Sequence, residues 1–278
     1  MRRAELKELL SQHGLRPQHA FGQNFLVDLA LLSAIPDDAG LEAGDRVLEV
    51  GPGAGSLTSV LLSRGARILA VEIDHGLSRL LRERFSGELQ EGTLELVEGD
   101  ILEKDERLNS RVEEWWMDGS PPQVIANLPY SISGPFLARL PSRPLKSACL
   151  LLQREVAVKA CGKWGDKAYG PLTVRLNLAF HARLGRRLPP EVFWPRPQID
   201  SAFLHLSPRS NAPSPELDSA MAVILKFAFG QRRKRLLGRL EKMAPAAAQS
   251  LRDAGVSEQA RPEQVEPELW RRAAEALE

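Results

Sequence analysis

Arg46-Val47-Leu48-Glu49-Val50-Gly51-Pro52-Gly53-Ala54-Gly55 is the stretch on which the fold turns. Its first five residues read as a short apolar strand, and Ser56–Ser63 beyond it reads as a helix. Alternate glycines separate the two. Glycine there permits positive φ and lets the backbone approach a ligand closely. A strand, a glycine-rich turn and a helix in succession form the opening of a nucleotide-binding α/β unit. The dinucleotide fingerprint G-x-G-x-x-G needs a third glycine where this chain has Ser56, so that variant does not fit. The alternative is a tight turn that binds nothing.

Outward from this point, short apolar runs keep alternating with helix-length segments. Arg67–Val71, Leu94–Val97, Gln123–Ala126 and Ala148–Leu152 are read as further strands, and Gly76–Phe85 as an amphipathic helix. Strands so separated predict a parallel sheet with helices on both faces. His181–Leu188 and Ser201–Leu206 alternate like antiparallel edge strands, which makes the expected sheet mixed and seven-stranded. Ser207–Pro215, rich in proline and serine, is read as a linker. Beyond it, Met221–Phe229, Arg232–Lys242, Ala246–Ala254 and Glu268–Leu277 carry helical spacing. The expected organisation is an α/β domain over 1–207, opening with a helical segment at Ala4–Leu10, and a small all-helical domain over 216–278.

Composition narrows the class. A chain of 278 residues, 43% hydrophobic and 26% charged, can bury one large core with a satellite. No apolar run reaches the roughly 20 residues needed to cross a bilayer, and the first residues lack the apolar stretch of a secretory signal. The expected compartment is the cytoplasm. Cys149 and Cys161, and the scattered His13, His19, His75, His181 and His205, match no metal-ligand spacing, so no metal is expected. Net charge is only +1, yet Lys226, Arg232, Arg233, Lys234, Arg235, Arg239 and Lys242 face a single acid, Glu241, in their stretch. Such a run is either a solvated helix face or a phosphate-binding patch.

An acid before G-x-G-x-G resembles motif I of the class I methyltransferases. Two further acids fit a nucleoside ligand. Glu72 ends the second strand, where a carboxylate can accept from both ribose hydroxyls, and Asp100 follows the third, within reach of an adenine amine. Asn127-Leu128-Pro129-Tyr130, just past the fourth strand, matches the N/D-P-P-Y/F-like motif of amino-methyltransferases. An adenine amine is a poor nucleophile because its lone pair is delocalised into the ring. The Asn127 side-chain oxygen and the Leu128 carbonyl would accept its two N–H bonds, Pro129 would fix the turn, and Tyr130 would stack on the extruded base.

The whole chain resembles the small-subunit rRNA adenine N6,N6-dimethyltransferases, the KsgA/RsmA family. Phe21–Leu26 is similar to the family's G-Q-N-F-L element, which implies cofactor contacts for Asn24 and Leu26. The resemblance likewise implies S-adenosylmethionine as cofactor, held by Gly51, Gly53, Glu72, Asp100, Ile101 and Asn127. Gln153–Val156 with Tyr169-Gly170 resembles Q-K-E-V…Y-G-R-L-S-V. Val192–Ser201 resembles V-F-x-P-x-P-x-V-D-S, whose phenylalanine, here Phe193, is implied to stack on the second face of the base. Phe229–Lys234 resembles F-x-x-R-R-K, which turns the basic run toward RNA through Arg232, Arg233, Lys234 and Arg235.

The implied reaction dimethylates two adjacent adenosines in a hairpin loop near the 3′ end of 16S rRNA, in the small (30S) subunit, by a monomer. Pro171, Thr173, Asn177 and Ala20-Phe21 depart from the family pattern at RNA-side or packing positions. Three other readings stay open on the sequence. One is an Erm-type enzyme of large-subunit rRNA, which more often carries N-I-P-Y. Another is a DNA adenine methyltransferase, although no target-recognition domain is evident. The third is a ribosome-assembly factor with secondary methylation.

Overall fold

The computed structural model describes residues 1–18, 21–103 and 107–277; His19 and Ala20 lie outside them. The strands, in chain order, are β1 (Phe25–Leu26), β2 (Arg46–Val50), β3 (Arg67–Glu72), β4 (Leu94–Glu98), β5 (Gln123–Asn127), β6 (Ser147–Gln153), β7 (Phe180–Leu188), β8 (Phe193–Trp194) and β9 (Ser201–Pro208). Seven of them form one sheet in the order β4-β3-β2-β5-β6-β9-β7. β2, β3, β4, β5 and β6 run parallel to one another, and β9 runs antiparallel to β6. The near-continuous apolar character of β2, β3, β5 and β6 follows from burial on both faces.

One expectation is corrected here. β9 is not an edge strand but lies between β6 and β7, and Ser201, Ala202, Phe203, Leu204 and Leu206 are all buried. Its alternation in sequence conceals burial on both faces.

Chain order runs outward from β2 through β3 and β4 on one side, and through β5 and β6 on the other. The carboxyl ends of β2 and β5 therefore lie where strand order reverses, the position at which open α/β sheets bind ligands. The helix Ser56–Ser63 begins directly after the glycine turn, with Gly55 in left-handed conformation (φ 78°) as its N-cap. The amino-terminal helix Arg3–Gln12 buries Leu6 and Leu10 against Ala54, Leu77 and Leu80, beneath that turn.

The chain divides into two compact units. One comprises Met1–Phe136, Pro144–Ala157 and Leu184–Leu206; the other comprises Leu137–Arg143, Val158–Arg183 and Ser207–Glu278. Contacts thus group residues 137–143 and 158–183 with the carboxy-terminal helices, because Tyr169, Val174 and Leu178 share one apolar cluster with Met221, Ile224, Leu251 and Trp270. Within that unit Arg175 grips the buried Asp218 with two charge-assisted bonds, Nε to Oδ1 at 2.8 Å and Nη2 to Oδ2 at 2.6 Å.

Two helix boundaries also differ from expectation. The helix expected from Met221 begins at Pro215, because Ser214 caps it by accepting from the Leu217 amide (3.1 Å) and Pro215 fills the first helical position. The helix expected over Arg232–Lys242 spans only Leu237–Met243. The Leu236 amide donates to the Ala260 carbonyl at 2.8 Å instead, so residues 231–236 form a turn.

Among the described residues no helix is long and apolar enough to cross a membrane. None of their His, Cys, Asp and Glu side chains gather in threes suited to a metal ion. Among the described residues Cys149 and Cys161 form no disulfide.

Candidate active site

A cavity of about 360 Å³ opens at the carboxyl ends of β2, β3 and β5, a size typical of small-molecule sites. Asn24, Leu26, Gly51, Gly53, Glu72, Asp100 and Ile101 all line it. Asn127, Leu128, Pro129 and Tyr130 line it too, so residues from three separate motifs share one chamber.

The glycines bring the motifs together. At Gly51 (φ 68°) a Cβ would stand 3.1 Å from Pro129 Cγ, and at Gly53 (φ 61°) it would stand 2.8 Å from the Phe25 ring. Any side chain at either position would crowd the chamber wall and strain a left-handed backbone.

Two carboxylates sit beneath this turn. Glu72 accepts from the Gly53 amide through Oε2 and from the Asp74 amide through Oε1, both at 2.9 Å. Burial nevertheless dominates those bonds and pushes its carboxyl up to about 7. Glu49 is more deeply enclosed, and burial pushes it up to about 8; hydrogen bonding with Thr58 opposes the rise and the nearby Glu72 adds to it. Glu49 Oε2 is buried without a hydrogen-bond partner among the described residues, yet Glu49 lines the cavity. An orphaned acceptor in a cavity wall marks a place for a donor or a cation. Asp100 stands exposed at the rim, where Oδ1 accepts from the Leu102 amide at 2.9 Å.

Asn127 terminates β5. Its Nδ2 donates to the Asn24 carbonyl at 2.9 Å, so the amide nitrogen is occupied and Oδ1 is left as the acceptor. Tyr130 is half-buried beside it, and its hydroxyl bonds Ser201 Oγ at 2.7 Å. Burial raises the phenol above its ordinary range.

The amino-terminal element is held in place by contacts that the sequence does not announce. Gln23 Nε2 (2.9 Å) and Gln18 Nε2 (2.8 Å) both donate to Asp74 Oδ2, while Asp74 Oδ1 accepts from the amides of Gly76 and Leu77. Asp74 thus fastens Gln18 and Gln23 to the end of β3. β1 and β8 then pair antiparallel, with Phe25 opposite Trp194 and Leu26 opposite Phe193.

That pairing corrects the expectation for Phe193. Its side chain is fully buried, 0% exposed, among the core residues under the sheet, and it does not line the cavity. Its strand points it inward beside Leu26, and the aromatic ring turned the other way is Trp194, which stacks on Phe25 with ring centroids 6.5 Å apart. Sequence reading missed Ser201, Gln23 and Asp74. All three lie in or beside motifs already singled out, but their roles depend on partners distant in the chain.

The four basic residues expected to meet RNA lie in the turn before Leu237. Arg233, Lys234 and Arg235 are exposed, while Arg232 donates to the Lys167 carbonyl (3.0 Å) and lies 3.8 Å from Glu263.

Comparison with known proteins gives a consistent picture. Residues 14–278 match the family model for ribosomal RNA adenine dimethylase. The chain is 41% identical over 254 residues to the ribosomal RNA small subunit methyltransferase A of Magnetococcus marinus, covering 90% of this chain and 88% of that one. It is 40% identical over 240 residues to the protein of that name from Phenylobacterium zucineum, covering 86% and 81%. Among solved structures, the 23S rRNA methyltransferase ErmE superposes with a TM-score of 0.64 at 27% identity, over 91% of this chain and 99% of that one. A dimethyladenosine transferase from Plasmodium falciparum superposes with a TM-score of 0.72 at 23% identity, over 90% and 95%, a likeness of fold. The seven-stranded mixed sheet is accordingly that of the class I S-adenosylmethionine-dependent methyltransferases.

Proposed function

The chain belongs to the ribosomal RNA adenine dimethylase family, and from that premise we propose that it dimethylates the N6 amines of two adjacent adenosines near the 3′ end of 16S rRNA. The target is a hairpin loop of the small ribosomal subunit, met in the cytoplasm by a monomer. The observation that carries this reading is the meeting of the glycine turn, Glu72 and the Asn127–Tyr130 turn in a single cavity. The relatives named for the small subunit reach 41% identity, against 27% for the large-subunit enzyme ErmE, which favours the small subunit.

The residues fit S-adenosylmethionine. Glu72 retains free lone pairs for ribose hydroxyls after accepting its two backbone bonds. Asp100 offers an acceptor for the adenine amine, and the buried Ile101 beside it an apolar wall. The orphaned Glu49 oxygen offers a place for a cationic ligand, whose charge would favour the ionised carboxylate. When bound, the cofactor supplies an electrophilic methyl group on a sulfonium.

The chain's own residues prepare the nucleophile. Asn127 Oδ1 and the Leu128 carbonyl accept from the target amine and favour a pyramidal nitrogen with an available lone pair. The Asn24 carbonyl pins the Asn127 amide, so the acceptor is oriented before substrate arrives. Tyr130 offers its ring face to the flipped base, with its hydroxyl anchored by Ser201. The methylated amine is acidic enough to release its proton to water, so no strong base is required.

The test uses labelled S-adenosylmethionine with separated, undermethylated small and large subunits, followed by nucleoside analysis. Dimethyladenosine in the small-subunit RNA alone is expected. Label in the large subunit alone would move the chain to the large-subunit enzymes. Ser201 provides a finer prediction. Ser201→Ala removes one buried bond worth about 1 kcal/mol, so the KM for RNA should rise roughly 3- to 10-fold while the cofactor Kd is unchanged. An equal loss in cofactor affinity would show that Ser201 supports the whole site rather than the tyrosine.

A further inference from the structure

We propose that Trp164, with Lys163 and Lys167 beside it, is a nucleobase-stacking platform that extends the basic turn at residues 233–235 into one RNA-docking surface. The proposal rests on the rRNA reading above and names a contact outside the cavity.

Trp164 is 49% exposed, an unusual position for the largest apolar side chain. A single exposed aromatic is in itself unremarkable. Three features of its surroundings set it apart.

The first is that its loop is built rather than loose. Asp166 Oδ2 accepts from the Lys163 amide at 2.7 Å, and the Asp166 amide donates to the Lys163 carbonyl at 3.0 Å. Gly165 turns the chain with φ 86°. Asn177 Nδ2 donates to the Gly162 carbonyl at 3.1 Å and Thr173 Oγ1 to the Lys159 carbonyl at 3.0 Å, while Tyr169 is locked to the Val265 carbonyl at 2.7 Å. Trp164 therefore stands at the tip of a braced turn, and little ordering entropy remains to be lost on binding.

The second feature is charge. Lys163 and Lys167 flank the ring in sequence and are exposed. The one acid in the turn, Asp166, is turned onto the Lys163 backbone amide. The third is continuity. Arg232 donates to the Lys167 carbonyl, which joins the Trp164 loop to the turn bearing Arg233, Lys234 and Arg235. Arg232 also answers Glu263, so a nearby acid is already matched. An indole presented among exposed cations suits RNA, since bases offer π faces and phosphates offer charge. It suits an apolar protein partner poorly.

The test compares binding of undermethylated small ribosomal subunits by wild-type protein and by variants at several salt concentrations. Trp164→Ala should weaken binding roughly 5- to 100-fold, the range for losing one stacked base, with the salt slope unchanged. Trp164→Phe should recover most of the affinity, and Trp164→Leu should not. Replacing Lys163 and Lys167 together by alanine should lower the slope of log K against log salt by about 1.4–1.8.

Wild-type affinity in Trp164→Ala, with methylation by the wild type intact, overturns the platform and leaves the enzymatic reading standing. Recovery by leucine as complete as by phenylalanine also overturns it, because an apolar protein contact would then explain the loss. Failure of the wild type itself to bind or methylate the subunits defeats the underlying reading, and the platform with it.

Discussion

Asn127→Ala is expected to lower methyl transfer by about 10²–10³-fold, the range for removing one preorganised group from the point where charge develops. The argument rests on orientation. In the wild type the Asn127 amide nitrogen is held by the Asn24 carbonyl, which leaves Oδ1 to receive the amine. Alanine removes the acceptor and releases nothing in the core, because the side chain is only half-buried at a strand end. Cofactor affinity should fall modestly and thermal stability little. Asn127→Asp makes the test sharper. It retains an acceptor but sets a second oxygen against the Asn24 carbonyl, so it should be slower than wild type and faster than alanine. Single-turnover rates with saturating cofactor measure the effect, and near-wild-type turnover in Asn127→Ala would falsify the assignment.

The second large effect is on stability, and its sign is opposite to that of most carboxylates. Glu49 and Glu72 are pushed up to about 8 and about 7 by burial, from an ordinary value of 4.5. The folded, ligand-free protein therefore holds protons that the unfolded chain has released. Below about pH 4.5 both states are protonated and there is no penalty. Between 4.5 and about 8 the folded state loses stability as pH rises, and above about 8 the loss is complete. At about 1.4 kcal/mol per pH unit, Glu49 alone contributes a loss on the order of 3–5 kcal/mol across that window. Glu49→Gln should flatten the upper part of the profile and make the ligand-free protein more stable than wild type at pH 9. Urea unfolding from pH 4 to 9 measures this, and a wild-type curve flat across that range would contradict it. Ligand binding runs the other way. A cationic ligand favours both ionised carboxylates, so its affinity should rise with pH through the same window.

Much of the sheet was legible because parallel strands buried on both faces read as apolar runs, as in Val47–Val50 and Ala148–Leu152. The chamber was legible because its glycines and its Asn-Leu-Pro-Tyr turn are contiguous motifs. What escaped depends on partners remote in sequence. Asp74 looks like an ordinary helix cap until Gln18 and Gln23 arrive on it. Ser201 looks like a strand residue until the Tyr130 hydroxyl is seen upon it. Phe193 failed for a related reason: a motif places a residue in the chain, whereas its facing is set by the two-residue pairing with β1. The first half of the basic run failed as a helix because the Leu236 amide bonds outside its own segment.

That two-residue pairing also bears on how the molecule is made. Phe25 and Leu26 leave the ribosome long before Phe193 and Trp194. At about 5–20 residues per second, the interval is roughly 10–30 s. Throughout it, one wall of the chamber lacks the strand that clasps it, and the apolar faces of Phe25 and Leu26 await their partners. The clasp closes only after about 70% of the polypeptide, through Trp194 of 278 residues, has been translated.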